Sequence, residues 1–247
     1  MIDVLIMGGT WNPAGDPVTE AFAQRLDPEL FNYRYVPYPA TYGGRGMSYA
    51  YSVGEGRRAL LDAIYRAPNP VLLAGYSQGA GIAGDVAASI KREPFSDLEV
   101  IGAALIADPL RPSGWGTVGI NGCGIAGQRP ISTMPVWWAV ADRDPITALP
   151  EGSPLRSVAD FTAYWSMNSV ESFAQWGQSI VDTAVRQRYQ QWWSPGNWRE
   201  AAEVIGQANA YLFEGRHTAA YIAEGHCEWL ADQVNGYARI RASQKSR

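Results

Sequence analysis

The sequence predicts an α/β protein, with a central, mostly parallel sheet flanked by helices. Three observations carry this. Short apolar, β-branched runs recur along the chain and stop abruptly at Gly or Pro. Helix-patterned segments separate them. The runs are apolar throughout rather than alternating, as strands covered on both faces must be.

Val4–Met7 is the first such run and ends at Gly8-Gly9-Thr10, so it reads as a buried strand entering a tight loop. Phe31–Val36 alternates and stops at Pro37, a second strand. From Ser48 to Arg66, Tyr51, Leu60, Leu61 and Ile64 fall at helical spacing, and Pro68 and Pro70 end the helix. Val71–Ala74 is a buried strand followed at once by Gly75, and Gln78–Lys91 is Ala-rich and helical. Strands are predicted over Val100–Ala107 and, after a long Gly-rich loop, Val136–Ala141. The texture then changes. Residues 150–205 hold Phe161, Trp165, Phe173, Trp176, Trp192, Trp193 and Trp198 among Gln and Ser, with no strand-like run, and read as a helical insertion with broad aromatic faces. Ala201–Phe213 and Glu228–Ile240 read as helices, and Arg241–Arg247 as a frayed polar tail.

A chain of 247 residues, 47% hydrophobic, suits one domain over 1–247, with 150–205 as an insertion within it. Its net charge of −4 argues against nucleic acid as a partner, since phosphate binding needs clustered positive charge. No stretch approaches the roughly 20 apolar residues of a membrane span. The N-terminus has Asp3 where a signal peptide would carry Lys or Arg, so no signal peptide is expected. Cys123 and Cys227 lie far apart, read as two buried thiols or as one disulfide closing a long loop.

The strongest chemical signal is Gly75-Tyr76-Ser77-Gln78-Gly79, a G-x-S-x-G pentapeptide between a predicted strand and a predicted helix. Such an elbow puts the serine on a strained turn at a helix N-terminus, and a larger residue two places either side would collide with neighbouring backbone. A serine hydroxyl needs a base within reach. The chain has two histidines, His217 and His226, and both follow the serine in the order Ser, acid, His. His217 is preferred because its loop can reach across the sheet, whereas His226 adjoins the last helix and has a capping or packing role open to it. The acid should leave a late strand. Asp144, in Asp142-Arg143-Asp144-Pro145, is preferred over Asp142 and over Asp108, whose Asp-Pro setting also suits a turn. For the oxyanion hole, the Gln78 amide is one donor and Thr10, after the first strand, the candidate for the second; the Gly8-Gly9-Thr10 loop equally reads as a plain strand ending.

These segments together with Ala107-Asp108-Pro109-Leu110-Arg111 and Arg216-His217-Thr218-Ala219-Ala220-Tyr221 resemble lysin B, the mycobacteriophage endolysins related to cutinases and to PE-PPE-type serine hydrolases. The similarity spans nearly the whole chain. It departs at Gly8, where the family often has His, and at Asp108, where Asn is common. The resemblance implies an α/β-hydrolase (cutinase-like) fold and a mycolylarabinogalactan esterase, cutting mycolic acids from arabinogalactan. By position it implies Ser77 as nucleophile, Asp144 as acid, His217 as base, and Thr10 and Gln78 as oxyanion donors, with no metal or organic cofactor. The partner would be mycolyl-arabinogalactan or another long-chain lipid ester, with peripheral contact to a lipid envelope. Storage in host cytoplasm until lysis would fit. The aromatic insertion either provides acyl-binding surface or packs against the core. Two other readings stand beside it: a cutinase-like lipase acting on other esters, and an inactive hydrolase homologue binding lipid or glycan.

Overall fold

The computed structural model describes residues 1–41, 48–90, 98–151, 153 and 215–245. The predicted insertion over 150–205 and the predicted helix Ala201–Phe213 lie outside them, apart from residues 150, 151 and 153. Five strands, β1 (Ile2–Met7), β2 (Phe31–Tyr35), β3 (Val71–Tyr76), β4 (Val100–Ile106) and β5 (Val136–Ala139), form one sheet in the order β2-β1-β3-β4-β5. Every pairing is parallel. The described helices are α1 (Pro17–Ala23), α2 (Tyr49–Tyr65), α3 (Gln78–Ser89), α4 (Ala219–Ala223) and α5 (His226–Lys245).

Side-chain alternation splits the strands between two cores. Val4 and Ile6 of β1 and Leu72 and Ala74 of β3 join Phe22 of α1 and Leu230 and Val234 of α5 on one face. Leu5, Met7 and Leu73 join Leu60 of α2 and Ile82 and Val86 of α3 on the other. β1, β3 and β4 are buried along their whole length, as the unbroken apolar runs require. β2 differs: Asn32, Tyr33 and Arg34 are exposed because it is an edge strand.

Boundaries follow local chemistry. Ser48 caps α2 by accepting the Tyr51 N–H at 3.3 Å. Helix α1, unpredicted, rests on a capping box. The Asp16 carboxylate accepts the Val18 and Thr19 amides at 3.0 and 2.9 Å, and Thr19 Oγ1 accepts the Asp16 amide at 3.1 Å. Pro17 at its first position has no N–H to leave unpaired. The predicted frayed tail is corrected: α5 continues to Lys245, with Arg241 3.3 Å from Glu99. The last helix also begins earlier than predicted, at His226. Cys123 and Cys227 are both buried and are not joined in a disulfide, which removes the disulfide alternative.

Candidate active site

Parallel strands deliver their C-terminal ends to one edge of the sheet, and the candidate residues gather there. β3 runs on through Gly75 and Tyr76, and α3 starts at Gln78, so Ser77 is the single residue of the turn. Its φ of 54° and ψ of −118° are unfavourable for a residue with a Cβ. Two backbone bonds hold it: its N–H donates to the Ile106 carbonyl at 2.9 Å, and its carbonyl accepts the Gly81 N–H at 3.0 Å. The flanking glycines are required by approach distance. A Cβ on Gly75 would lie 2.4 Å from the Gly79 oxygen, and one on Gly79 would lie 2.2 Å from the Met7 oxygen. The turn therefore closes only where both positions lack a side chain.

His217 Nε2 is 2.8 Å from Ser77 Oγ. On its far side, Nδ1 lies 3.1 and 3.0 Å from Asp144 Oδ1 and Oδ2. Asp144 is fully buried, on the loop after β5, and its Oδ1 also accepts the Ile146 N–H at 3.0 Å. A buried carboxylate pairs with donor-bearing Nδ1–H, leaving Nε2 free to accept the serine proton. The imidazole stacks on the Tyr76 ring, with centroids 5.2 Å apart and planes 28° apart. The Tyr76 hydroxyl donates to the His217 carbonyl. Thus the variable residue of the elbow supports the His217 imidazole.

The other candidates are engaged elsewhere. Asp108 is fully buried and accepts from Arg129 Nη2 at 2.7 Å, Trp138 Nε1 at 3.0 Å and the Leu110 N–H at 2.9 Å. Burial pushes its carboxyl up, and the nearby Arg129 guanidinium opposes this. Asp142 is exposed, and its carbonyl accepts Arg216 Nε at 2.8 Å. His226 opens α5 with its Nε2 3.3 Å from Glu224 Oε2. Arg216 also grips Glu224, through Nη2 to Oε2 at 3.1 Å and through Nη1 to Oε1, which holds the Glu224 carboxyl below its ordinary range. Arg216 therefore pins the His217 turn to the Asp142 backbone.

Thr10 and Gln78 meet, with Thr10 Oγ1 3.5 Å from Gln78 Oε1. As the first residue of α3, Gln78 has an amide without an intrahelical acceptor. The loop bearing Thr10 is fixed from several sides. Asp16 Oδ2 accepts the Gly9 N–H at 3.0 Å, Tyr38 donates its hydroxyl to the Gly8 carbonyl at 2.7 Å, and Trp11 N–H donates to the Ala40 carbonyl at 2.7 Å. Two features escaped the sequence reading. Arg111, fully buried, donates Nε to the Thr147 carbonyl and Nη2 to the Gly122 carbonyl, both at 2.7 Å, bracing the acid loop. Tyr221 donates its hydroxyl to Asp144 Oδ2 at 2.6 Å. Its place four residues after His217, at the end of a segment that carries the lysin B resemblance, was the available signal. Among the described residues, no group of three or more His, Cys, Asp or Glu is placed to hold a metal ion, and no helix is long and apolar enough to cross a membrane.

The parallel sheet, the serine elbow at the end of β3 and the helices on both faces define an α/β-hydrolase fold of the cutinase-like kind. Lysin B from Mycobacteriophage D29 has a similar structure, with a TM-score of 0.58 at 16% identity over 92% of this chain and 98% of that one. An acetylxylan esterase also matches, at a TM-score of 0.43 and 20% identity, covering 66% of this chain and 93% of its own. So does a cutinase-like protein from Cryptococcus sp., at 0.44 and 16%, covering 67% and 96%. At these identities the likeness is one of fold. No protein-family model and no curated protein matches the sequence.

Proposed function

We propose that this chain is a serine carboxylic ester hydrolase of lysin B type, releasing mycolic acids from arabinogalactan. The observation that carries the reading is the unbroken line from Ser77 Oγ through the His217 imidazole to the buried Asp144 carboxylate. His217 takes the Ser77 proton as Oγ bonds to the ester carbonyl carbon. The oxyanion is held by the amides of Gln78 and Thr10. The carbon–oxygen ester bond breaks, and the sugar alcohol leaves with the proton from Nε2. A water then gives its proton to His217 as it attacks the acyl carbon, the acyl–Oγ bond breaks, and Ser77 Oγ takes that proton back from Nε2 as the fatty acid is released. The substrate assignment is supported by the resemblance of the motifs to lysin B and by the fold shared with the phage D29 enzyme over most of both chains. Such an enzyme acts on the envelope from within once the host membrane has been breached.

A fluorophosphonate probe tests the chemistry, and mass spectrometry of treated mycobacterial cell walls tests the substrate. Wild type should be labelled, Ser77→Ala should not, and free mycolic acids should be released by the wild type alone. Tributyrin hydrolysis without mycolic acid release would make the chain a cutinase-like lipase. Absence of labelling in wild type would leave a lipid- or glycan-binding homologue.

A further inference from the structure

Asp144 is a fully buried carboxyl group, and a buried carboxylate needs donors on both oxygens to be held in place. Ile146 N–H serves Oδ1, and His217 Nδ1 lies almost equally far from both oxygens. Those two donors alone leave Oδ2 to the imidazole. We propose that Tyr221 is a positioning residue for this reaction, a second donor that locks the Asp144 carboxylate and moderates its pull on the imidazole. The proposal rests on the esterase reading above.

The direction of the hydroxyl proton is determined by its surroundings. Tyr221 is fully buried, and its hydroxyl lies against Asp144 Oδ2. A carboxylate can only accept, so the tyrosine proton goes to Asp144 Oδ2, 2.6 Å away. Burial and the neighbouring Asp144 charge hold the phenol far above its ordinary value, so it remains a donor throughout the working range. The chain supplies this donor economically. His217 precedes α4 and Tyr221 lies within it, four residues on, so one helical turn delivers base and second donor to the same carboxylate. The Tyr76 ring meets both, stacked on His217 and edge-on to Tyr221 at 6.3 Å and 67°. A carboxylate that shares its charge with a phenol attracts the imidazolium less than one that does not.

The charged groups around this pair come from every neighbouring element. The acid loop carries Asp142 and Arg143, the His217 turn carries Arg216 paired with Glu224, and Arg111 braces the acid loop from the segment after β4. His226 of α5 packs its ring 5.7 Å from that of Tyr221. Tyr221→Phe leaves all of them in place and removes one oxygen.

The test is steady-state hydrolysis of p-nitrophenyl butyrate across pH by the full chain, with active sites counted by fluorophosphonate titration so that misfolded protein is excluded. Tyr221→Phe should lower kcat per titrated site about tenfold and leave KM within about twofold. The acid limb of its kcat/KM profile should move about half a unit to higher pH. In an Asp144→Asn background, the hydroxyl no longer meets an anion, and adding Tyr221→Phe should change the residual rate by less than about twofold. An unmoved acid limb, or a further tenfold loss in that background, would overturn the role of Tyr221. Failure of wild type to label at Ser77 would instead remove the esterase reading itself.

Discussion

At the scale of single residues, the backbone at Ser77 is held in a conformation that costs about 1–3 kcal/mol. The bonds to Ile106 and Gly81 keep it there, and the hydroxyl is thereby presented to His217 rather than folded back on the helix. The two histidines differ in surroundings more than in chain position. His217 is enclosed by Tyr76, Asp144 and Ser77, whereas His226 is paired with Glu224. His217→Ala should therefore lower kcat about 10⁴-fold and His226→Ala should keep most activity, as read from ester hydrolysis at equal titrated enzyme. The reverse ranking would reassign the base. Ser77 was legible because its neighbours must be small, which leaves a written signature. Tyr221 was not, because an aromatic in a short helix reads as core until the carboxylate beside it is known.

At the scale of elements, the end of β1 meets the start of α3 at close quarters. Gly79 lies on that contact, and an added methyl would press on two backbone carbonyls, Met7 O at 2.2 Å and Gly8 O at 2.5 Å. Neither can move without shifting the loop that carries Thr10. Gly79→Ala should destabilise the protein by about 2 kcal/mol or more, measured by urea denaturation, and should depress turnover in the fraction that folds. The buried strands β1, β3 and β4 were plain in the sequence because their side chains are apolar on both faces. Helix α1 was missed since its stability comes from the Asp16 cap and the packing of Val18 and Phe22, with only a short pattern to show for it. The short α4 escaped for a similar reason, as five residues carry no readable period.

Across the whole molecule, two cores on opposite faces of one sheet bind early and late chain together. Cys227 at the start of α5 reports on that union, since its thiol donates to the Val18 carbonyl of α1 at 3.5 Å. Burial pushes this thiol up from 9.0 to about 12. The folded state therefore keeps the proton more firmly than the unfolded one. Its stabilising contribution is complete below about 9 and is lost as pH rises through about 12. At pH 8, iodoacetamide should leave Cys227 unmodified in the native protein and alkylate it in guanidinium, as peptide mass spectrometry would show; rapid native labelling would contradict the packing of α5 on α1.

The Ser77–His217 contact spans 140 positions of chain, and the Asp144–Tyr221 contact spans 77. A ribosome must release the chain past His217 before serine and imidazole can meet. Until then the nascent chain presents an alcohol with no partner to draw off its hydrogen, so on the proposed esterase reading a chain not yet made past residue 217 holds no activated serine.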